Sequence, residues 1–529
     1  MQSPPVAPYA FEGDLRNLPK ARLWQPGDPV REVNPRRVHA RQPIRQPNAP
    51  PSSESAPQAS PPTDKSSKAF GIPLVNVDGI PFTGVLPPDT VGDAGPSHYI
   101  QMVNGSGSAL VTILDKAGAT LVAPFPLSDL AAAATICQTS GFGDPVVLYD
   151  SLANRWLLSE FADNALGTSP TLCVYISKTA DPVAGGWFAY QFATPQFPDY
   201  PKYAVWPSAY ALTTNESQPA VYALDRTRML AGLSATFIRR TVPPLAGFPF
   251  QALTPADLDG AAAPPVNAPI ILMRHRDDEV HNVGSNNATR DFVEIWEFNP
   301  NFTTPASTTL TGPTNIAVAE FDSNLCGLTS FACFPQPGTA TTLDPLREVI
   351  LWRLQYRNFG SRQSLVGNFV TDIGNADRGG VRWFELRKIG AGAWTLFQQG
   401  TLSAGTENRW LGSIAMNGKG DIALGYSVTS ASIFPSIRYT GRLSTDPLGQ
   451  MPQGEHVLIA GTGAQNFLPA NGGTRWGDYS ALSVDPADDC TFWYTNEYIP
   501  TDHQWRTRIG KFRFDNCAPT GLIFQNSFE

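Results

Sequence analysis

One pattern narrows the fold of this chain more than any other: a Trp, then four residues, then Ala-Leu or Ala-Met. It recurs as Trp206-Pro-Ser-Ala-Tyr-Ala-Leu, Trp410-Leu-Gly-Ser-Ile-Ala-Met and Trp476-Gly-Asp-Tyr-Ser-Ala-Leu, with Arg409 and Arg475 preceding the last two. Gly143-Asp-Pro-Val-Val-Leu-Tyr-Asp150 is a relative without the Trp. Short strand-like runs follow each, and several groups close on an aromatic strand: Trp187-Phe-Ala-Tyr-Gln-Phe, Val293-Glu-Ile-Trp-Glu-Phe, Val381-Arg-Trp-Phe-Glu-Leu and Ile509-Gly-Lys-Phe-Arg-Phe. Sheets built on such a plan bury their faces only by stacking on copies of themselves, which is the logic of a ring of blades. The expectation is an all-β β-propeller of seven blades, near 88–128, 141–195, 199–245, 265–305, 344–400, 405–447 and 473–516. Six and eight blades are the neighbouring counts, and a sandwich with a second domain is the structural alternative.

Composition supports this. The 529 residues include 45 Gly and 49 Pro, only 16% are charged, and 42% are hydrophobic, so strands of four to eight residues alternate with turn chemistry. Residues 1–68 differ: Pro-, Ser- and Arg-rich text too poor in apolar residues to offset its ordering entropy reads as a disordered leader or prosegment. Within it, Phe11 to Pro19 is dense enough to dock. The propeller is expected over 69–518, with a tail at 519–529.

The net charge of −8 is unevenly spread, because the leader carries ten Lys/Arg against six Asp/Glu. An acidic body repels nucleic acid, so no nucleic-acid partner is expected. No apolar run reaches the ~18 residues of a membrane span. The first residues lack a basic and then apolar export segment. The six cysteines nevertheless fall as neighbouring couples, Cys137 with Cys173, Cys326 with Cys333, and Cys490 with Cys517. None has zinc-knuckle or redox spacing. Sequential pairing, one of fifteen connectivities, closes the smallest loops and gives three disulfides. The expected location is secreted or periplasmic, with the signal segment outside this sequence. Oligomeric state is not readable.

Three stretches resemble a group of uncharacterised secreted bacterial β-propeller proteins, loosely sialidase-like. They are Asp344-Pro-Leu-Arg-Glu with Trp352-Arg-Leu-Gln-Tyr-Arg-Asn-Phe-Gly360, Gly380-Val-Arg-Trp-Phe-Glu-Leu386, and Arg475-Trp-Gly-Asp-Tyr-Ser480. The resemblance spans roughly 70–516 and implies a fold but no chemistry. The Asp-box turn of true sialidases, Ser-x-Asp-x-Gly-x-x-Trp, does not occur, so no sialidase mechanism carries over. The ending Ile523-Phe-Gln-Asn-Ser-Phe-Glu529 is similar to short C-terminal endings on secreted bacterial proteins.

No nucleophile elbow, zincin helix, P-loop or complete dinucleotide fingerprint is present. The Arg-Trp turns are the strongest positive signal. In a propeller the innermost strands begin at the central channel, so Arg409, Trp410, Arg475, Trp476, Asp478 and Tyr479 are expected there with Asp144, Tyr203 and Trp206. A guanidinium fork, carboxylates and aromatic faces suit a carboxylate- or sugar-like ligand. Asp144 and Asp478 are candidate acid and base, with Tyr479 beside them. Packing and turn hydrogen bonds are the structural reading of the same residues. In Glu348 to Arg357, period two puts Arg353, Gln355 and Arg357 on one face, either to clamp an anion or to pair with Asp372, Asp377 or Glu385.

Two segments bear on metals. His275, Asp277, Glu279 and His281 would share one face of a strand, yet same-face neighbours stand ~6.6 Å apart and converge only if the chain bends. A solvated hairpin end is the default for that segment. Asp257-Leu-Asp-Gly260 opens like a calcium loop but lacks the later ligands, which leaves room for structural calcium and otherwise reads as an acidic turn. No other cofactor is expected. Three functions fit: a secreted propeller that binds and in one version cleaves an extracellular glycan or other polar, anionic ligand; a non-enzymatic protein-interaction or adhesion scaffold; and a hydrolase or lyase of acidic polysaccharide.

Overall fold

The computed structural model describes residues 1–33, 58–59, 70–245, 251–281, 287, 289–328, 332–467 and 474–517. The C-terminal tail expected at 519–529 lies outside them. The described strands form a β-propeller. Each blade is a four-stranded antiparallel meander, and seven such meanders occur among the described residues. Their innermost strands are Val91–Ala94, Gly141–Asp150, Asp199–Trp206, Thr254–Leu258, Leu354–Asn358, Asn408–Met416 and Ala481–Val484. Each innermost strand contacts the next around the ring, and the seventh contacts the first. Blades four and five are joined more tightly, because Ala256–Leu258 pairs in parallel with Leu354–Tyr356 and fuses the two into one sheet.

Closure uses chain from both ends of the propeller. The seventh blade takes three strands from 481–512 and its outermost strand, Val75–Pro81, from before the first blade. This differs from the expected unit at 473–516. The fourth blade is also displaced, since it begins at Thr254 and ends at Ala319 rather than spanning 265–305. The signal at 254–258 is masked in the sequence by its Pro and its Asp, which score poorly as strand formers.

Neighbouring blades share an apolar interior. Ile100, Met102, Val147, Leu157, Tyr175 and Leu212 belong to one continuous buried cluster that crosses the first three blades. A second joins blades three to five through Trp206, Leu272, Trp296 and Tyr356.

Residues 1–33 require a correction to the flexible-leader expectation. They form a strap across the propeller. Gln2 and Val6 bridge to the third blade, Tyr9–Phe11 adds a fifth strand to the second, and Leu15 is buried with its N–H donated to Val183. Apolar residues spaced through otherwise polar text, at Leu15, Leu18, Leu23 and Trp24, pack against the propeller's buried core, Trp24 edge-on to Phe82. Arg31–Glu32 then pairs in parallel with Val85–Leu86.

All three disulfides form in the sequential pattern, Cys137–Cys173, Cys326–Cys333 and Cys490–Cys517. Cys490–Cys517 ties the chain after the last strand back to the turn inside the same blade. Closing that 27-residue separation restricts the unfolded chain by about 3 kcal/mol. The paired Cys490→Ser, Cys517→Ser variant is therefore expected to lose stability of that order in denaturant melts, with the propeller's circular-dichroism spectrum retained.

Candidate functional site

The innermost strands all begin at one end of the ring, here called the mouth. At several of these starts the backbone takes a left-handed conformation without glycine: Asp89, Asp144, Tyr200, Leu346 and Leu411 have φ of 47, 47, 52, 47 and 48°. The strands that follow are irregular at the same place, with register breaks at Gly143/Val146, Asp199/Lys202 and Trp410/Ser413. Such a residue costs on the order of 1 kcal/mol and persists only where surroundings hold it.

Four blades, the first, second, third and seventh, and the strap converge there. Asp89 accepts the Asp478 N–H at 2.7 Å and the Asn104 amide at 2.7 Å; Asn104 in turn accepts the Asp144 N–H at 2.9 Å. Tyr479 donates its hydroxyl to Asp144 at 3.3 Å and to the Pro201 carbonyl at 3.0 Å. The Arg475 guanidinium bridges Asp478 at 3.0 Å and Glu32 of the strap at 3.3 Å. Tyr200 donates to the Asp478 carbonyl and stacks obliquely on Tyr479, 5.1 Å between ring centres. Glu497 accepts the Gly477 N–H.

The carboxyls crowd in a dry place, so their proton affinities rise. Burial, with Asp478 as the nearest like charge, lifts Asp89 to about 7. Burial also raises Asp144 well above the carboxylate range, aided by Asp89, Asp199 and Asp478, and raises Glu497 in the same sense. Lys202, wholly enclosed, donates to Thr254 at 3.0 Å and to the Ile350 carbonyl at 2.8 Å, and burial pushes its ammonium well down. Chemically this is a constellation able to hold a proton on Asp144 at neutral pH beside other acidic groups.

Four sequence candidates therefore meet: Asp144, Arg475, Asp478 and Tyr479. The others do not join them. Arg353 sits deeper in the channel, bound to Asp257 and to Asp259 at 3.0 Å, and Arg357 pairs with Asp489 at 2.6 Å and the Met416 carbonyl at 3.0 Å. Their partners come from blades four, six and seven, not from the expected Asp372, Asp377 or Glu385. Asp257 and Asp259 thus face a guanidinium where the calcium-loop reading put an ion. Arg409 is held by Glu455 at 2.8 Å within its own blade, and Trp410 packs on Trp476 at 5.3 Å. Trp476 donates its indole N–H to Ser427.

Trp206 is a phase error of the repeat. Trp410 and Trp476 stand at the mouth, but Trp206 ends its innermost strand, about 23 Å from Asp199 at 3.3 Å per residue; its indole donates to the Ala268 carbonyl instead. Tyr203 lies buried between them. The true counterpart in that blade is Asp199-Tyr200-Pro-Lys202. Reasoning from tryptophan missed Asp89, Asn104, Tyr200, Lys202, Glu497 and Glu32. The signal available was the recurrent Asp or Tyr next to Pro, in Pro88-Asp89, Asp144-Pro145 and Tyr200-Pro201.

The strap covers the mouth. Val33 is buried and lies where a Cβ on Gly143 (φ 149°) would meet it at 2.5 Å, so only glycine lets the strap sit there. Beside it, a 270 Å³ cleft lies between strap and seventh blade, lined by Trp24, Gln25, Phe82, Gln504, Trp505 and Arg506 among others. The segment His275–His281 is buried rather than a solvated hairpin end, and Asp278–His281 turns as a short helix. No helix among the described residues is long and apolar enough to cross a membrane.

No known protein-family profile matches the chain, and no curated protein matches it. Among solved structures it is similar to an endo-arabinase from Bacteroides thetaiotaomicron, 11% identical, covering 71% of this chain and 99% of that one, with a TM-score of 0.32. A protein of unknown function from Dyadobacter fermentans is 9% identical over 88% of this chain and all of its own, TM-score 0.35. Extracellular domains 1–2 of Drosophila semaphorin 1b give 9%, 86%, 87% and 0.38 for the same quantities. The fold stands on its own closed ring of sheets.

The mouth makes stability depend on pH. Asp89 and Asp144 keep a proton in the folded state above the pH at which the unfolded carboxyl loses it. Their stabilising contribution is complete below about pH 4 and is lost as pH rises through the folded values, about 7 for Asp89. Tm is thus expected to fall between pH 4 and 8. Asp144→Asn, neutral throughout and still able to accept from Tyr479, flattens that fall if Asp144 is a main contributor; an unchanged slope in calorimetry removes it from the account.

Proposed function

We propose that the protein is an exported propeller that recognises a polar, carboxylate-bearing ligand of glycan type at the mouth of its channel. The observation that carries this reading is the fork of Arg475. One side of the guanidinium is fixed by Asp478, and the other takes the Glu32 carboxylate of the strap, 9% exposed. Planar, two-sided guanidinium recognition of carboxylates is what arginine does best in a dry site. Glu32 stands where a uronate-like carboxylate would be received, so the strap acts as an internal occupant that a ligand displaces. Three disulfides agree with an oxidising compartment.

Tyr479 and Asp144 favour a second, catalytic version of the same site. A carboxyl that retains its proton at neutral pH, with a phenol on it, is suited to protonate a leaving oxygen, and Asp478 is the partner proposed for the base. A scaffold role would instead use the outer rims and leave the mouth silent.

A polysaccharide array read separately for binding and for product release distinguishes these. Binding of acidic saccharides is expected, strengthened several-fold by Glu32→Ala, which empties the fork, and weakened about ten-fold or more by Arg475→Ala. Product release that Asp478→Ala abolishes supports the catalytic version. Equal binding by wild type, Glu32→Ala and Arg475→Ala would overturn the site.

A further inference from the structure

A second acidic group lies away from the axis, where the fourth blade meets the fifth. Its placement follows from register. His275 pairs with Val293, and Asp291 with Val318. Directly opposed residues share a side of the sheet and so do residues two apart, which puts Asp277, Asp291 and Glu320 on one face. A straight strand would carry Glu279 away from them. Instead the chain turns into the short helix Asp278–His281, and oxygens of Asp277, Glu279 and Asp291 come within 4.8 Å of one another.

The first and third carboxylates are aimed by backbone. Asp277 accepts the Val280 N–H at 3.0 Å, and the Ser323 N–H and hydroxyl at 2.8 and 2.7 Å. Asp291 accepts the Asp278 and Phe321 N–H groups at 2.8 Å each. Glu279 and Glu320 are different. They are 4% and 0% exposed; Glu279 faces the like-charged Asp278 carboxyl, and neither oxygen of Glu320 receives a hydrogen bond among the described residues. The strongest charges on Glu320 are Glu279, Asp277, Asp278 and Asp322, all negative. Burial and this repulsion raise Glu279 and Glu320 to about 8 and Asp291 to about 9. Arg274 and Arg276 do not answer them, because both pair with Glu294. Buried carboxylates this close together, one of them with no donor among the described residues, are a costly arrangement unless something positive joins them.

We propose that Asp277, Glu279, Asp291 and Glu320 form a calcium site that pins the loops of the fourth blade to one another. All candidate ligands are hard oxygens, and ligands opposed across Ca²⁺ at ~2.4 Å stand roughly 4.8 Å apart. His275 and His281 stay outside the ligand set. Their ring nitrogens face the Arg347 and Asp277 carbonyls.

The test uses the full-length, disulfide-bonded protein stripped with EGTA and titrated with CaCl2 by calorimetry, with Tm followed in parallel. Wild type is expected to bind one calcium more than either Glu279→Gln or Glu320→Gln, and to gain a few degrees of Tm at millimolar calcium that both variants lose. In EGTA both variants should melt at or above wild type, since the amide keeps the shape of the carboxyl and never has to carry a buried charge, so misfolding does not mimic the result. A lanthanide soak should give an anomalous peak among the four carboxylates. An equal calcium response in all three proteins, no response in wild type, or a peak elsewhere overturns the proposal.

Discussion

Except where blades four and five pair in parallel, the innermost strand of a blade is an edge strand, with a row of backbone groups that no fifth strand pairs. The whole ring depends on how those groups are answered. In this protein the answer comes from side chains of the neighbouring blade. Asp93 accepts the Tyr149 N–H at 2.8 Å, Asp257 that of Val205 at 2.7 Å, Gln355 that of Met416 at 2.6 Å, Ser413 that of Leu482 at 2.9 Å, and Asp89 that of Asp478 at 2.7 Å. Each bond links two blades and occupies an edge that would otherwise face a void.

Acceptors gathered round an axis need cations, and the axis supplies them in a column. Lys202 lies nearest the mouth, Arg353 below it among Asp257, Asp259 and the field of Asp93, and Arg357 reaches Asp489 on the seventh blade. Arg353 and Arg357, which look ligand-ready in sequence, are thus engaged by the protein's own carboxylates. At the mouth the left-handed strand starts leave a charged group, Arg475, whose partners include a segment foreign to the ring.

That segment gives the leader its meaning. Its contacts run from the third blade through the second to the first, and its last described residues settle at the mouth. A chain with so few apolar residues docks because the propeller offers a complementary surface, including the sheet edge at Trp187–Ala193 and the groove left by Gly143. Composition judges whether a segment can build its own core. It is blind to whether another core will receive it.

Short β-rich runs bounded by turns were enough to establish an all-β chain, and cysteine spacing was enough to pair the disulfides, because both depend on local geometry and chain entropy. The meeting of Asp144, Arg475, Asp478 and Tyr479 was also legible, since each stands beside a strand start. Phase was not: Trp206 matches the repeat in letters and sits at the opposite end of its strand, and only ladder register assigns the end. Nor was the destination of Arg353 and Arg357, whose carboxylates lie 96 and 132 residues away in sequence. For His275 to Glu279, a straight strand forbids convergence and one helical turn permits it. Local patterning thus determined which runs become strands; ring closure alone decided what their side chains face, because that partner is supplied by another blade.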